Sequence, residues 1–181
     1  MKKTTFLLLS ALTFLQVSAQ KLPQVQQVSL RAPANVKVDG KATEWYNTYQ
    51  AYNPATEIFY TISNDDENLY LITYVDSKEV LFFKVMTGGI NFQIEGGDHE
   101  LSFCYPAFNN PPPKFSRLQN GQVFTGKEDY PLIVKNNKLF ADNAKVIEVI
   151  GIDGITDPVS IYNEYGISVA GRFDASLGYI Y

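Results

Sequence analysis

The side chains best suited to recognising a ligand lie near the start of the chain. Trp45 is the sole tryptophan, and its flat face can stack on a pyranose ring through dispersion and CH–π contact. Its competing role is a core side chain beneath a turn, which the burial habits of large aromatics favour. Tyr49 and Tyr52, three residues apart beside the same turn, offer a second, weaker platform. Trp45, Tyr49 and Tyr52 are therefore the candidate ligand-binding residues.

Catalysis has less to work with. Carboxylates gather at Asp65, Asp66 and Glu67, at Glu95, Asp98 and Glu100, and at Asp153 and Asp157. A glycosidase needs two carboxylates across a cleft, one with a raised pKa, whereas acids in polar turns stay solvated and titrate ordinarily. Such turns suit a hard cation, so calcium is a possible cofactor, although no EF-hand spacing is present. The one histidine, His99, gives no basis for a Ser-His-Asp set, and there is neither a Gly-rich phosphate loop nor a Cys/His metal cluster. Cys104, in the alternating run Leu101-Ser102-Phe103-Cys104-Tyr105, reads as a small buried hydrophobe rather than a nucleophile. No catalytic residue emerges, and the expectation is a protein that is not an enzyme.

These side chains must be positioned by a chain of 181 residues that is 45% hydrophobic and 14% aromatic. Such a chain supports one domain with a sizeable core and excludes disorder, collagen and coiled coil. A net charge of −4 argues against nucleic-acid or anionic-membrane partners. Lys2 and Lys3, an apolar run from Thr4 to Val17 and the small pair Ser18-Ala19 have the order of a secretory signal peptide over 1–19. The run is too short to span a bilayer. No cysteine lies near the cut, so the expected product is exported to the periplasm or beyond without a lipid anchor. Loss of the leader removes two lysines, leaving 13 basic and 19 acidic residues and a net charge of −6. With one cysteine there is no internal disulfide, and stability rests on the core.

Residues 20–35 read as an extended lead-in, followed by a first strand at Val36–Val38 and a turn at Asp39-Gly40. Residues 57–62 and 69–75 alternate on either side of the polar turn 64–68 and form the clearest hairpin, with Ile62 and Leu71 expected inside. Both faces of 69–75 are apolar, which predicts a strand covered on both sides. Val80–Val85 could be strand or helix. Ile90–Glu95 and Glu100–Tyr105 form a second strand pair, and the proline-rich stretch 106–131 is a long connection. Val146–Ile150 and Tyr162–Val169 resume short strands. No run holds a helical period. The fold expected for 36–181 is a single all-β domain, an antiparallel β-sandwich with few or no helices after the leader.

The segment Val38-Asp39-Gly40-Lys41-Ala42-Thr43-Glu44-Trp45, followed by Glu57 to Leu71 with its Asn64-Asp65-Asp66-Glu67-Asn68 turn, resembles family 9-like carbohydrate-binding modules. Those modules share a β-sandwich with dopamine β-monooxygenase N-terminal (DOMON) domains. Ile90–Glu95 and Gly178–Tyr181 resemble later strands of the family, so the likeness covers roughly 36–95 and the extreme C-terminus. It implies an exported, non-catalytic module that binds a glycan. In sugar-binding members, one aromatic clamp falls where this chain has Val85 and Met86, and the second lies downstream of the late strand. Some DOMON relatives hold b-type haem through a Met and a His, which makes Met86 and His99 the ligands of an alternative, haem-binding reading. A third is a structural or interaction protein of the cell envelope with no small ligand. The resemblance further implies strands beyond Tyr181, so that Gly178–Tyr181 would be a bare edge completed by a partner strand or protein.

Overall fold

The computed structural model describes residues 21–77, 80–97, 99–108, 112–115, 130–174 and 178–180. The expected leader, Asp98, Tyr181 and much of the 106–131 connection lie outside them. Strands β1 (Leu30–Arg31), β2 (Ala51–Asn53), β3 (Ile58–Asn64) and β4 (Leu69–Val75) come first, and β5 (Ile90–Gly96), β6 (His99–Tyr105), β7 (Val146–Ile150) and β8 (Val159–Ser160) follow. β9 (Arg172–Asp174) and β10 (Gly178–Ile180) complete the set. One sheet has the order β1-β3-β4-β10-β9, with β2 also on β3, and the other has the order β5-β6-β7-β8. The fold is all-β, as the short alternating runs and frequent turns require.

The predicted hairpin forms as β3 and β4, with Phe59 opposite Tyr74 and Ile62 opposite Leu71. Both faces of β4 carry buried residues. Val75 joins the main core, where Phe173 of β9 and Ile147 and Val149 of β7 also pack, so both sheets contribute to it. On the opposite face, Ile72 packs with Ala42 and Trp45, flanked by Tyr70 and Tyr74. Ile62 and Leu71 are half-buried rather than fully inside. Leu71 borders a cavity between the sheets, which leaves it partly unpacked.

Several local expectations need correction. Val36–Val38 is not a strand, because the free edge of β3 is already taken. β2 pairs with Ile58–Tyr60 of that edge, and β1, from the supposed lead-in, runs parallel to Ser63–Asn64. Between them Ile62 is paired by a side chain. Its N–H donates to Gln26 Oε1 at 2.8 Å, and Gln26 Nε2 donates to its carbonyl at 2.7 Å. The carboxamide thus copies a strand's donor and acceptor. Residues 162–169 are turns, because Asn163 folds them on themselves. Its Nδ2 donates to the Ser160 and Ile167 carbonyls, and its Oδ1 accepts from Tyr165 and Ile167 N–H. Val80–Val85 is a π-helical turn running into Met86–Gly88. β10 is not a bare edge: it lies between β4 and β9, antiparallel to both.

The sequence pattern also misses helix α1 (Tyr130–Asn143). Its inward side carries Ile133, Asn136 and Phe140, continued by Ala144 just past its end, at helical spacing but with a buried asparagine in the apolar stripe. The neighbouring Asn137 pairs with the β9 edge: Phe173 N–H donates to its Oδ1 at 2.7 Å, and its Nδ2 donates to the Phe173 carbonyl at 2.9 Å. The polarity that hides the helix in the sequence is what docks it on the sheet.

Replacing Gln26 with Ala strands one backbone donor and one acceptor of β3, and is expected to destabilise the protein by about 1–3 kcal/mol in urea unfolding. Gln26→Glu keeps the acceptor but loses the donor, and should recover only part of that loss.

Candidate functional site

Register builds the site. In β-sheets, directly paired residues on one face stand side by side about 4.8 Å apart. Tyr52 pairs with Phe59, and Phe59 pairs with Tyr74, so three rings line up across β2, β3 and β4 on the outer face of the first sheet. Ring centroids are 4.6 Å apart for Tyr52 and Phe59, and 5.6 Å for Phe59 and Tyr74. Tyr49 enters from the preceding loop and stacks on Tyr74 at 5.4 Å with 16° between planes. All four rings are half-buried, so part of each remains accessible.

Tyr49 and Tyr52, chosen from their spacing, are thus brought together through Phe59 and Tyr74, which the sequence argument did not select. The available signal was the hairpin itself: the turn at 64–69 places Phe59 opposite Tyr74. Burial raises the pKa of both the Tyr49 and Tyr74 hydroxyls, and the carboxylate of Asp174 adds to this for each, as does that of Asp76 for Tyr74. The phenols therefore stay protonated. The Tyr49 hydroxyl is buried without a hydrogen-bond partner among the described residues.

Trp45 takes the core role. It is 8% exposed, beneath a 3-10 turn at Thr43–Trp45, and its indole N–H donates to Ser63 Oγ at 3.2 Å. Its ring lies 6.1 Å from Tyr70. No ring face is left for a ligand. Met86 is 2% exposed in the main core. The backbone of His99 pairs with Gly96 at the far end of β5 from Met86, and a seven-residue strand spans about 20 Å. The side chain of His99 lies outside what is described. Cys104 is half-buried, its thiol donates to the Gly88 carbonyl, and burial pushes its pKa up, against nucleophilic use.

Among the described residues, no three of His, Cys, Asp and Glu converge as a metal site would require. Asp65 is committed to its own turn. Its Oδ2 accepts from the Tyr70 hydroxyl at 2.7 Å, and its Oδ1 accepts from Glu67 and Asn68 N–H at 2.8 and 2.7 Å. Those bonds, Tyr70 first, hold its carboxyl well below the usual range, unlike the ordinary titration expected of a solvated turn. Among the described residues no helix is long and apolar enough to cross a membrane. Compared with known proteins, the chain matches no family model, and no similar curated protein or solved structure is found.

Two outcomes are expected. Trp45→Ala should destabilise by about 3–5 kcal/mol, as deletion of a large buried ring does, measured by denaturant unfolding. Because the folded-state pKa of Asp65 is depressed, its contribution to stability is present above the ordinary carboxylate value of about 3.9 and is lost as pH falls below it. Tyr70→Phe should move the Asp65 titration, followed by NMR, back up toward that value. An unmoved titration would remove Tyr70 as the main cause.

Proposed function

We propose that this protein is an exported, non-catalytic module that binds a glycan on the outer face of its first sheet. The observation that carries the reading is the row Tyr52, Phe59 and Tyr74, extended by Tyr49. Sugars present C–H groups on one side and hydroxyls around the rim. Ring faces take the first, while phenol donors and carboxylate acceptors take the second. The carboxylates of Asp76 and Asp174 act electrostatically on the Tyr74 hydroxyl, which supports an acidic rim to the row. The likeness of residues 36–95 to family 9-like carbohydrate-binding modules supports the same function, as the leader-like order of residues 1–19 supports export. Tyr49 and Tyr52 of the expected residues remain, Phe59 and Tyr74 join them, and Trp45 is packed on the same face beneath its own turn.

The test is a glycan array probed with wild type, Tyr52→Ala and Tyr74→Phe. Wild type is expected to retain at least one class of oligosaccharide, and Tyr52→Ala to weaken it about tenfold, the scale of one good aromatic contact. Tyr74→Phe keeps the ring and loses the donor, and should give a smaller loss. An array on which wild type retains nothing, or on which Tyr52→Ala binds as well as wild type, would overturn the proposal.

A further inference from the structure

The opposite side of the same sheet holds a second feature, independent of the glycan reading. Between the sheets lies a cavity of about 320 Å³. Leu71 and Thr73 of β4 form one wall, and Ile90 and Phe92 of β5 with Phe103 of β6 form the other, while the segment 166–170 borders it. The volume is at the lower end of the roughly 300–1,000 Å³ typical of small-molecule sites. None of the described residues lining it carries a charge.

Thr73 is the exception to its apolar character. It is 3% exposed, and its Oγ1 is buried with no hydrogen-bond partner among the described residues. A buried hydroxyl left unpaired is costly, and such groups are normally satisfied. Tyr105, also at the wall, is already committed, since its hydroxyl donates to the Ala144 carbonyl at 3.3 Å. Thr73 is therefore an unpaired polar residue in the wall of an apolar chamber, and a turn about its χ1 would bring the hydroxyl to the open space.

We propose that the cavity is a binding site for a small, neutral amphiphile, an aliphatic chain carrying one hydroxyl that pairs with Thr73 Oγ1. The chain would gain from leaving water against Leu71, Phe92 and Phe103. The single polar group would satisfy Thr73, which can both donate and accept. An ionised head is disfavoured, because burying a charge without a counter-ion costs far more than burying a hydroxyl. The chemistry thus selects an alcohol over a carboxylate of the same length.

The test uses uptake of the neutral fluorophore N-phenylnaphthylamine and its displacement by n-octanol, n-octane and octanoate. Wild type is expected to take up the dye and release it to n-octanol but not to octanoate. Thr73→Val, which keeps the shape and removes the hydroxyl, should weaken n-octanol about tenfold and leave n-octane unchanged, while Thr73→Ser should retain n-octanol binding. Thr73→Val should also raise the Tm of the ligand-free protein, since an unpaired buried hydroxyl is gone. Ile94→Trp, which fills the chamber, should abolish dye uptake. The proposal is overturned if wild type takes up no dye, if Thr73→Val weakens alcohol and alkane equally, or if octanoate competes as well as n-octanol.

Discussion

Everything else in this fold is arranged around a strand that is largely apolar on both faces. β4 reads Leu69-Tyr70-Leu71-Ile72-Thr73-Tyr74-Val75, so each of its faces must be covered. One face is covered by the turn that carries Ala42 and Trp45. The other looks toward the second sheet, where Val75 meets the main core. In a half-exposed strand, a slip of one residue is blocked because it would turn apolar groups out to water. Here both faces are apolar, so that penalty is weak, and register is fixed by particular bonds. The Trp45 indole on Ser63 and the Gln26 carboxamide on Ile62 each accept only one alignment of β3. With β3 fixed, its pairing across the short turn fixes β4.

Sheet edges are managed by the same economy. A strand with unpaired backbone groups invites association, and this chain closes two such positions with carboxamide side chains. Gln26 fills the gap on β3 between β1 and β2, and Asn137 reaches from α1 to pair with Phe173 on β9. Each presents one donor and one acceptor in a plane, as a peptide group does. Asn137 has a second effect, because it anchors a helix whose apolar stripe is interrupted by polar residues. The core ring Phe140 is thereby held close to Phe108 and Phe115.

Adjacent residues of β4 consequently serve different sides of the molecule. Tyr74 faces outward into the aromatic row, and Thr73 lines the chamber between the sheets. Alternation along a strand makes this unavoidable, since neighbours point to opposite faces. The outer row is built by direct cross-strand pairing on short, regular strands, so its spacing is set by the backbone rather than by loop conformation. The inner chamber owes its volume to incomplete contact between sheets, where Leu71 is left half-buried.

By itself the sequence determined the class of fold and its strongest hairpin, because period-two alternation and polar turns are local signals. The same locality made β4 legible as a strand covered on both sides, and raised Tyr49 and Tyr52 as residues of interest. Tertiary structure decided what local pattern could not carry. Val36–Val38 has strand composition, but the edge it would join is occupied by residues from the lead-in, a competition between distant segments. α1 was hidden because Asn136 and Asn137 sit on its inward side, where only a docked partner makes an asparagine favourable. Whether Trp45 is buried beneath its turn or exposed to a ligand depends on Ser63, eighteen residues away, offering a buried acceptor. Phe59 and Tyr74 became part of a site only when pairing set them side by side, and Thr73 became conspicuous only when the second sheet closed over it and brought no hydrogen-bond partner.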